Sequence, residues 1–310
     1  PRLLPQLASR VDFDYDRIRG GLIIIAWGLF KKVVIADRIA LHVDQVYGDP
    51  QRYNGISYII ATILFAFQIY CDFSGYSDIA IGSARLFGID LMQNFRRPYF
   101  SRSIVDFWRR WHISLSTWFR DYVYIPLGGN RTSQPRWLFN LFITFVISGL
   151  WHGASWTFVI WGALHGLYIV VEYLFRNVDL PGYLRLPKGL AVLRNFVLVS
   201  FAWIFFRADS FDQAFYMIAN VTSGFGELGY VFDRGALHYI FMDYPQYELY
   251  IGLVAILLME TVHLVERGKP IDEFITSLTT PVRWLVYLIL ITLILNLASA
   301  YEAPFIYFQF

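Results

Sequence analysis

Residues 137–171 read WLFNLFITFVISGLWHGASWTFVIWGALHGLYIVV, from Trp137 to Val171, without one Asp, Glu, Lys or Arg. A helix crossing a bilayer takes about 17–25 mostly apolar residues. The run is too long for one crossing, so it predicts two segments broken near Gly149–Ser155. Further apolar stretches lie at Gly21–Phe30, Ile56–Cys71, Asn195–Phe206, Leu249–Met259 and Trp284–Tyr301. Lys31 and Lys32 follow the first, as snorkelling lysines do at a span end. Together these predict an all-α integral membrane protein with six to nine membrane helices, some short or re-entrant. Polar linkers are expected near Asn177–Lys188, Ala208–Gln246 and Gly268–Pro281.

Composition agrees. Of 310 residues, 56% are hydrophobic, 16% charged and 19% aromatic. Soluble domains carry roughly 25% charge, and rings gather at membrane interfaces. The net charge of +2 says little, but its distribution is uneven. Between Arg96 and Arg136 stand eight arginines against Asp106 and Asp121. Flanking spans make this a cytoplasmic membrane face rather than a nucleic-acid patch. The single cysteine, Cys71, excludes a disulfide framework within the chain and reads as a buried small apolar residue. The opening PRLLPQL looks like an internal connection, so residues upstream are expected to be missing or lost by processing.

Within the basic stretch, Ile104, Trp108, Trp111, Leu115, Trp118 and Tyr122 recur every three or four residues. This spacing predicts one amphipathic helix lying in the interface or lining a wet cavity. Pro98 and Pro126 bound it, and Leu127-Gly128-Gly129-Asn130 forms a turn.

His152 has the most unusual setting of the six histidines, deep in the uncharged run and followed by Gly153. Polar groups inside membrane segments are costly and mark function. A neutral imidazole can accept a hydroxyl proton and return it to a leaving thiolate; equally, it can hold a neighbouring helix. His112 is either a second polar contact in the same cavity or an interfacial histidine. His165, 13 residues beyond His152, points away from it on one continuous helix and favours a structural role. His42, His238 and His263 fall in or near polar connections. No grouping has metal-ligand spacing. Asp72 and Asp78 favour ion pairing with the arginines at 96–110 over catalysis. Those arginines suit either phosphates of an acyl donor or anionic lipid.

Several segments also resemble a known family: Asn94-Phe95-Arg96-Arg97-Pro98-Tyr99, Phe107-Trp108-Arg109-Arg110-Trp111-His112-Ile113-Ser114-Leu115-Ser116, the run from Arg120 to Arg131, and Gly149-Leu150-Trp151-His152-Gly153-Ala154. They are similar to the membrane-bound O-acyltransferases (MBOAT), in particular the alginate O-acetyltransferase branch. Leu4-Pro5-Gln6-Leu7, Phe205-Phe206-Arg207-Ala208 and residues 305–310 fit as well. The resemblance covers essentially the whole chain, and its central motifs are long.

It implies a single membrane domain over residues 1–310 that lacks its N-terminal helices, with helices ringing a central funnel and re-entrant or interfacial helices beside it. It implies catalytic roles for His152 and His112; donor binding is expected of Arg109, Arg110 and Asn94. The donor would be acetyl-CoA, as substrate, with no bound cofactor and no metal. The setting would be the bacterial inner membrane, among lipids, with a periplasmic acetyltransferase partner and polysaccharide export machinery, and no nucleic acid. The acceptor would be an exported polysaccharide such as alginate. Other cargoes remain open: D-alanyl transfer to teichoic acid, or acetylation of peptidoglycan or cellulose. So do a glycan or acyl-carrier transporter and a subunit that only docks a periplasmic enzyme.

Overall fold

The computed structural model describes residues 3–8, 10–177, 186–227, 245–301 and 303–306. His238 and residues 307–310 lie outside them, as do most of the linker after Asn177 and part of the linker after Ala208. All regular structure among the described residues is helical, with no strand among them.

Helix α1 is Leu3–Leu7. Helix α2 (Tyr15–Leu29) runs without a break through a π-helical stretch, Phe30–Ala36, into α3 (Asp37–Gly48). It starts where Asp14 Oδ1 accepts the Arg17 N–H, 3.1 Å away, satisfying one of the orphan donors of a helix start. Helix α4 is Gly55–Leu86. Two short helices, α5 (Ile104–Trp108) and α6 (Ile113–Phe119), lead into a π-helical turn at Arg120–Tyr124. Then come α7 (Gln134–His152), α8 (Trp156–Asn177), α9 (Lys188–Arg207) and α10 (Phe211–Ala219). The last described helices are α11 (Gln246–Val265), α12 (Ile271–Thr276) and α13 (Thr280–Leu297).

Five helices among the described residues are long and apolar enough to cross a membrane: Gly55–Leu86, Trp156–Phe175, Lys188–Arg207, Gln246–Val265 and Thr280–Leu297. The chain is a multi-pass membrane protein. The uncharged run is two helices, as its length required, with the break at Gly153–Ser155.

Contacts group the chain into two compact units. The first draws on Pro1–Gln45, Leu64–Gln93 and Gly229–Gln309. Its α2 and α4 pack backbone to backbone at two reciprocal glycine pairs. A Cβ on Gly28 would sit 2.6 Å from the Gly75 carbonyl oxygen, and one on Gly82 2.6 Å from that of Gly21. Small residues permit such an approach between helices in lipid, where no hydrophobic force drives them together.

That packing encloses charge. Lys31 is buried, its Nζ 2.8 Å from Asp78 Oδ2 and 2.8 Å from Ser74 Oγ. Lys32 Nζ lies 2.8 Å from Asp37 and 2.7 Å from Asp72. The lysines therefore do not snorkel, and the two aspartates pair with lysines rather than with the arginines at 96–110. The helix also continues past both aspartates to Leu86 instead of ending there. The physical reason is cost: a carboxylate inside a helix bundle needs a nearby cation, and the π-helical stretch after α2 supplies one to each aspartate. The segment after α13 joins the same cluster. Lys32 Nζ donates to the Ala303 carbonyl at 2.9 Å, the Ile306 N–H donates to Asp72 Oδ2 at 2.8 Å, and Phe305 stacks on Tyr76 with ring centroids 4.6 Å apart. Arg38 pairs with Glu248, and Arg85 with Asp272. Cys71 is buried, 3.6 Å from the Met259 sulfur. His42 and His263 are buried on helices of this unit, not in connections.

The second unit draws on Val46–Ile63 and Asn94–Leu228. It contradicts the single amphipathic helix expected over Ile104–Tyr122. The helix stops after Trp108, and His112 takes a left-handed conformation (φ 42°, ψ 56°) before α6 begins. The regular spacing conceals two destinations. Ile104 and Trp111 are core, whereas Trp118 and Tyr122 are exposed. The supposed linkers after Ala208 and Gly268 also contain helices, α10 and α12. Leu127–Asn130 is the expected turn, with positive φ at Gly128 and Gly129. It is tied down by Asn140 of α7, whose Nδ2 donates to the carbonyls of Leu127 (3.1 Å) and Gly129 (3.2 Å).

Candidate functional site

Helices α7 and α8 form a tight antiparallel hairpin. A Cβ on Gly149 would come within 2.2 Å of the Phe158 carbonyl oxygen, and one on Gly162 within 2.3 Å of that of Phe145. This backbone contact leaves His152, the last residue of α7, against the first turns of α8. Ser155 Oγ accepts the Thr157 N–H at 3.3 Å and holds the start of α8.

His152 is buried. Trp151, Trp161 and Phe206 meet its ring edge-on, with centroids 5.1, 5.0 and 5.3 Å away. Phe158 lies at 6.4 Å. These rings come from α7, α8 and α9. The enclosure continues outward as Trp203 stacks on Trp161 (5.9 Å) and packs on Trp111 (5.2 Å). Such ring pairs favour edge-on and offset geometries, so the imidazole's place is set from several sides.

His165 belongs to the same cluster. It sits on a different helix from His152, so the argument from one continuous helix does not apply. Trp161 touches both imidazoles, lying 5.1 Å from His165. The Trp108 indole N–H donates to His165 Nδ1 at 3.2 Å. That nitrogen is an acceptor, which places the proton of the neutral ring on Nε2.

The α5–α6 region is docked on this core by polar contacts. Glu172 of α8 accepts the Ile104 N–H at 2.9 Å, at the start of α5. Asn195 of α9 donates to Ser101 Oγ at 2.6 Å. The Arg96 N–H donates to the Arg110 carbonyl at 2.9 Å. His112 is buried in the break between the two short helices. Burial, and to a lesser degree the charge of His152, pushes its pKa down to about 3. His112 is therefore a neutral imidazole at physiological pH.

The remaining expected residues are placed as follows. Asn94 accepts the Ile113 N–H with its carbonyl (3.0 Å) and the Ser114 N–H with Oδ1 (3.2 Å), so it lies at the start of α6. Arg109 is exposed. Arg110 Nε is bound to Asp106 Oδ1 at 2.8 Å. Asn94 and His112 thus meet at the start of α6, and His165 shares Trp161 with His152, contrary to expectation. Sequence reasoning missed Trp161, Trp203 and Phe206. Their signal was present as Trp161/His165 at i, i+4 on α8 and Trp203/Phe206 at i, i+3 on α9, spacings that share a helix face. Among the described residues no group of three or more His, Cys, Asp or Glu is placed to hold a metal ion.

The sequence model of the membrane-bound O-acyltransferase family matches residues 19–208. The chain is 41% identical to the peptidoglycan O-acetyltransferase of Helicobacter pylori over 222 residues, 71% of this chain and 42% of that protein. It is 44% identical to the probable alginate O-acetylase AlgI of Azotobacter vinelandii over 215 residues, 68% of this chain and 42% of that one. It is 35% identical to the probable alginate O-acetylase AlgI of Pseudomonas putida over 313 residues, 95% of this chain and 62% of that protein. The match therefore spans two-fifths to three-fifths of these relatives. By the family match, the chain belongs to the membrane-bound O-acyltransferase family.

Proposed function

We propose that the chain is the catalytic part of an O-acyltransferase of the bacterial inner membrane. It moves an acetyl group from cytoplasmic acetyl-CoA towards hydroxyls of an exported polysaccharide, with alginate as the first acceptor to test. Family membership supports the reaction class, and the names of the relatives, peptidoglycan O-acetyltransferase and probable alginate O-acetylase, support the acceptor class. The observation that carries the reading is the buried His152 imidazole, met edge-on by Trp151, Trp161 and Phe206, with buried His112 following Trp111 on the same chain of rings through Trp203 and Trp161.

In this reading one ring nitrogen of His152 takes the proton of the attacking hydroxyl. The oxygen bonds to the thioester carbonyl carbon, the C–S bond breaks, and the proton passes to the departing thiolate. Proton transfer of this kind is worth about 10²–10⁴-fold. His112 orients the donor or the acceptor beside it. Arg109 and Arg110 meet the donor's phosphates, for which guanidinium groups are suited. A periplasmic acetyltransferase then transfers the acyl group from the ester so formed to a polysaccharide hydroxyl on the far side, next to the export machinery, releasing the hydroxyl that attacked first.

The test is transfer of labelled acetyl from acetyl-CoA by the purified protein in detergent, and the acetyl content of the secreted polymer, for wild type, His152→Ala and His112→Ala. Loss in His152→Ala at normal protein levels is expected. Retained transfer would remove the assignment. A label that ends on peptidoglycan would keep the chemistry and change the acceptor.

A further inference from the structure

Helix α6 starts on an unusual footing. Its first residue is preceded by His112 in the left-handed region, and His112 makes no cap hydrogen bond with its own side chain. A non-glycine residue there is strained and persists only where its surroundings enforce it. The enforcement comes from position 94, remote in sequence. The carbonyl of Asn94 takes the Ile113 N–H and its side-chain oxygen takes the Ser114 N–H. These are two of the donors left over at a helix start, and a residue at the N-cap would ordinarily serve one of them. Here Asn94 caps the helix in place of His112. The neighbouring Arg96 N–H to Arg110 carbonyl bond fixes the same two strands of chain a second time.

We infer that Asn94 is a positioning residue: it caps α6 from a distance and so holds His112, next to Trp111, at the ring chain Trp111–Trp203–Trp161 that leads to His152, rather than contacting the acyl donor. This rests on the reading of His112 as part of the reaction site. It also makes a chemical distinction. A cap needs an acceptor oxygen, which aspartate supplies as well as asparagine. A contact to the phosphates of a thioester donor would be reversed by a carboxylate.

The experiment is steady-state transfer by the full chain in detergent, with donor concentration varied, for Asn94→Ala, Asn94→Asp and His112→Ala, alongside thermal midpoints. A displaced catalytic group costs about ten- to a hundredfold in rate. Asn94→Ala is therefore expected to lower kcat in that range with the donor KM within about twofold of wild type, and Asn94→Asp to recover most of the rate. A raised donor KM in both variants would overturn the inference, as would an unaffected kcat in Asn94→Ala. If Asn94→Ala does not fold, Asn94→Asp decides: a folded but inactive aspartate variant refutes the cap. Full activity in His112→Ala would instead refute the reading on which the inference rests, whatever Asn94 does.

Discussion

Lys31 reaches Asp78 across the α2–α4 packing, Nζ to Oδ2 2.8 Å, with the lysine enclosed by protein on nearly every side. Removing one member of a buried pair strands the other, at a cost of about 3–5 kcal/mol. Lys31→Met should therefore lower the thermal midpoint sharply, and Asp78→Leu alone should do the same. The double variant should regain much of the loss, because neither charge is then left uncompensated. Equal damage from the double and the single variants would show that the pair is not the source of the effect.

The glycine contacts give a second prediction. Gly28→Ala and Gly75→Ala each force a Cβ against a carbonyl oxygen of the facing helix, at 2.6 and 2.7 Å. Overpacking of this kind costs about 1–3 kcal/mol. Gly48→Ala meets no atom within 4 Å and serves as the control. Thermal denaturation in detergent should separate the first two variants from the third.

Trp108→Phe keeps a large ring and deletes the N–H that His165 accepts. An unsatisfied buried acceptor costs about 1–3 kcal/mol, so this variant should unfold at lower temperature. Trp118→Phe alters an exposed ring and should change the midpoint little. Equal stability of Trp108→Phe and wild type would mean that the indole–imidazole bond adds nothing.

His112 predicts a pH dependence. Its pKa falls from the model-peptide value of 6.5 to about 3 in the folded protein, because of burial and, to a lesser degree, the charge of His152. Above pH 6.5 both folded and unfolded chains carry it neutral. Below that, the unfolded chain takes up a proton that the folded chain refuses, so folding weakens as pH drops from 6.5 towards 3. His112→Gln should show a smaller fall in thermal midpoint between pH 7.5 and pH 5 than wild type does. An unchanged fall would assign the effect to other groups.

The membrane class and the α7–α8 break were legible because apolar length is a one-dimensional signal. His152 stood out for the same reason, as a polar residue in an uncharged run. The helix at 104–122 was misread because its three-and-four spacing is produced by two short helices with separate burial directions. No periodicity records that residue 94 caps residue 113. Lys31 and Lys32 were misread as interfacial because two of their partners, Asp78 and Asp72, become neighbours only once α4 closes on the helix that carries the lysines. His165 was set aside because a sequence interval was measured along one helix when the chain had already turned back.

The ties from Lys32 to the Ala303 carbonyl and from Asp72 to the Ile306 amide bear on how the protein is handled. A protease site, affinity handle or fluorescent fusion placed within 303–306 would pull two backbone groups away from a lysine and an aspartate in the protein interior. The resulting loss of yield would mimic a defect in membrane insertion, although the spans themselves were untouched.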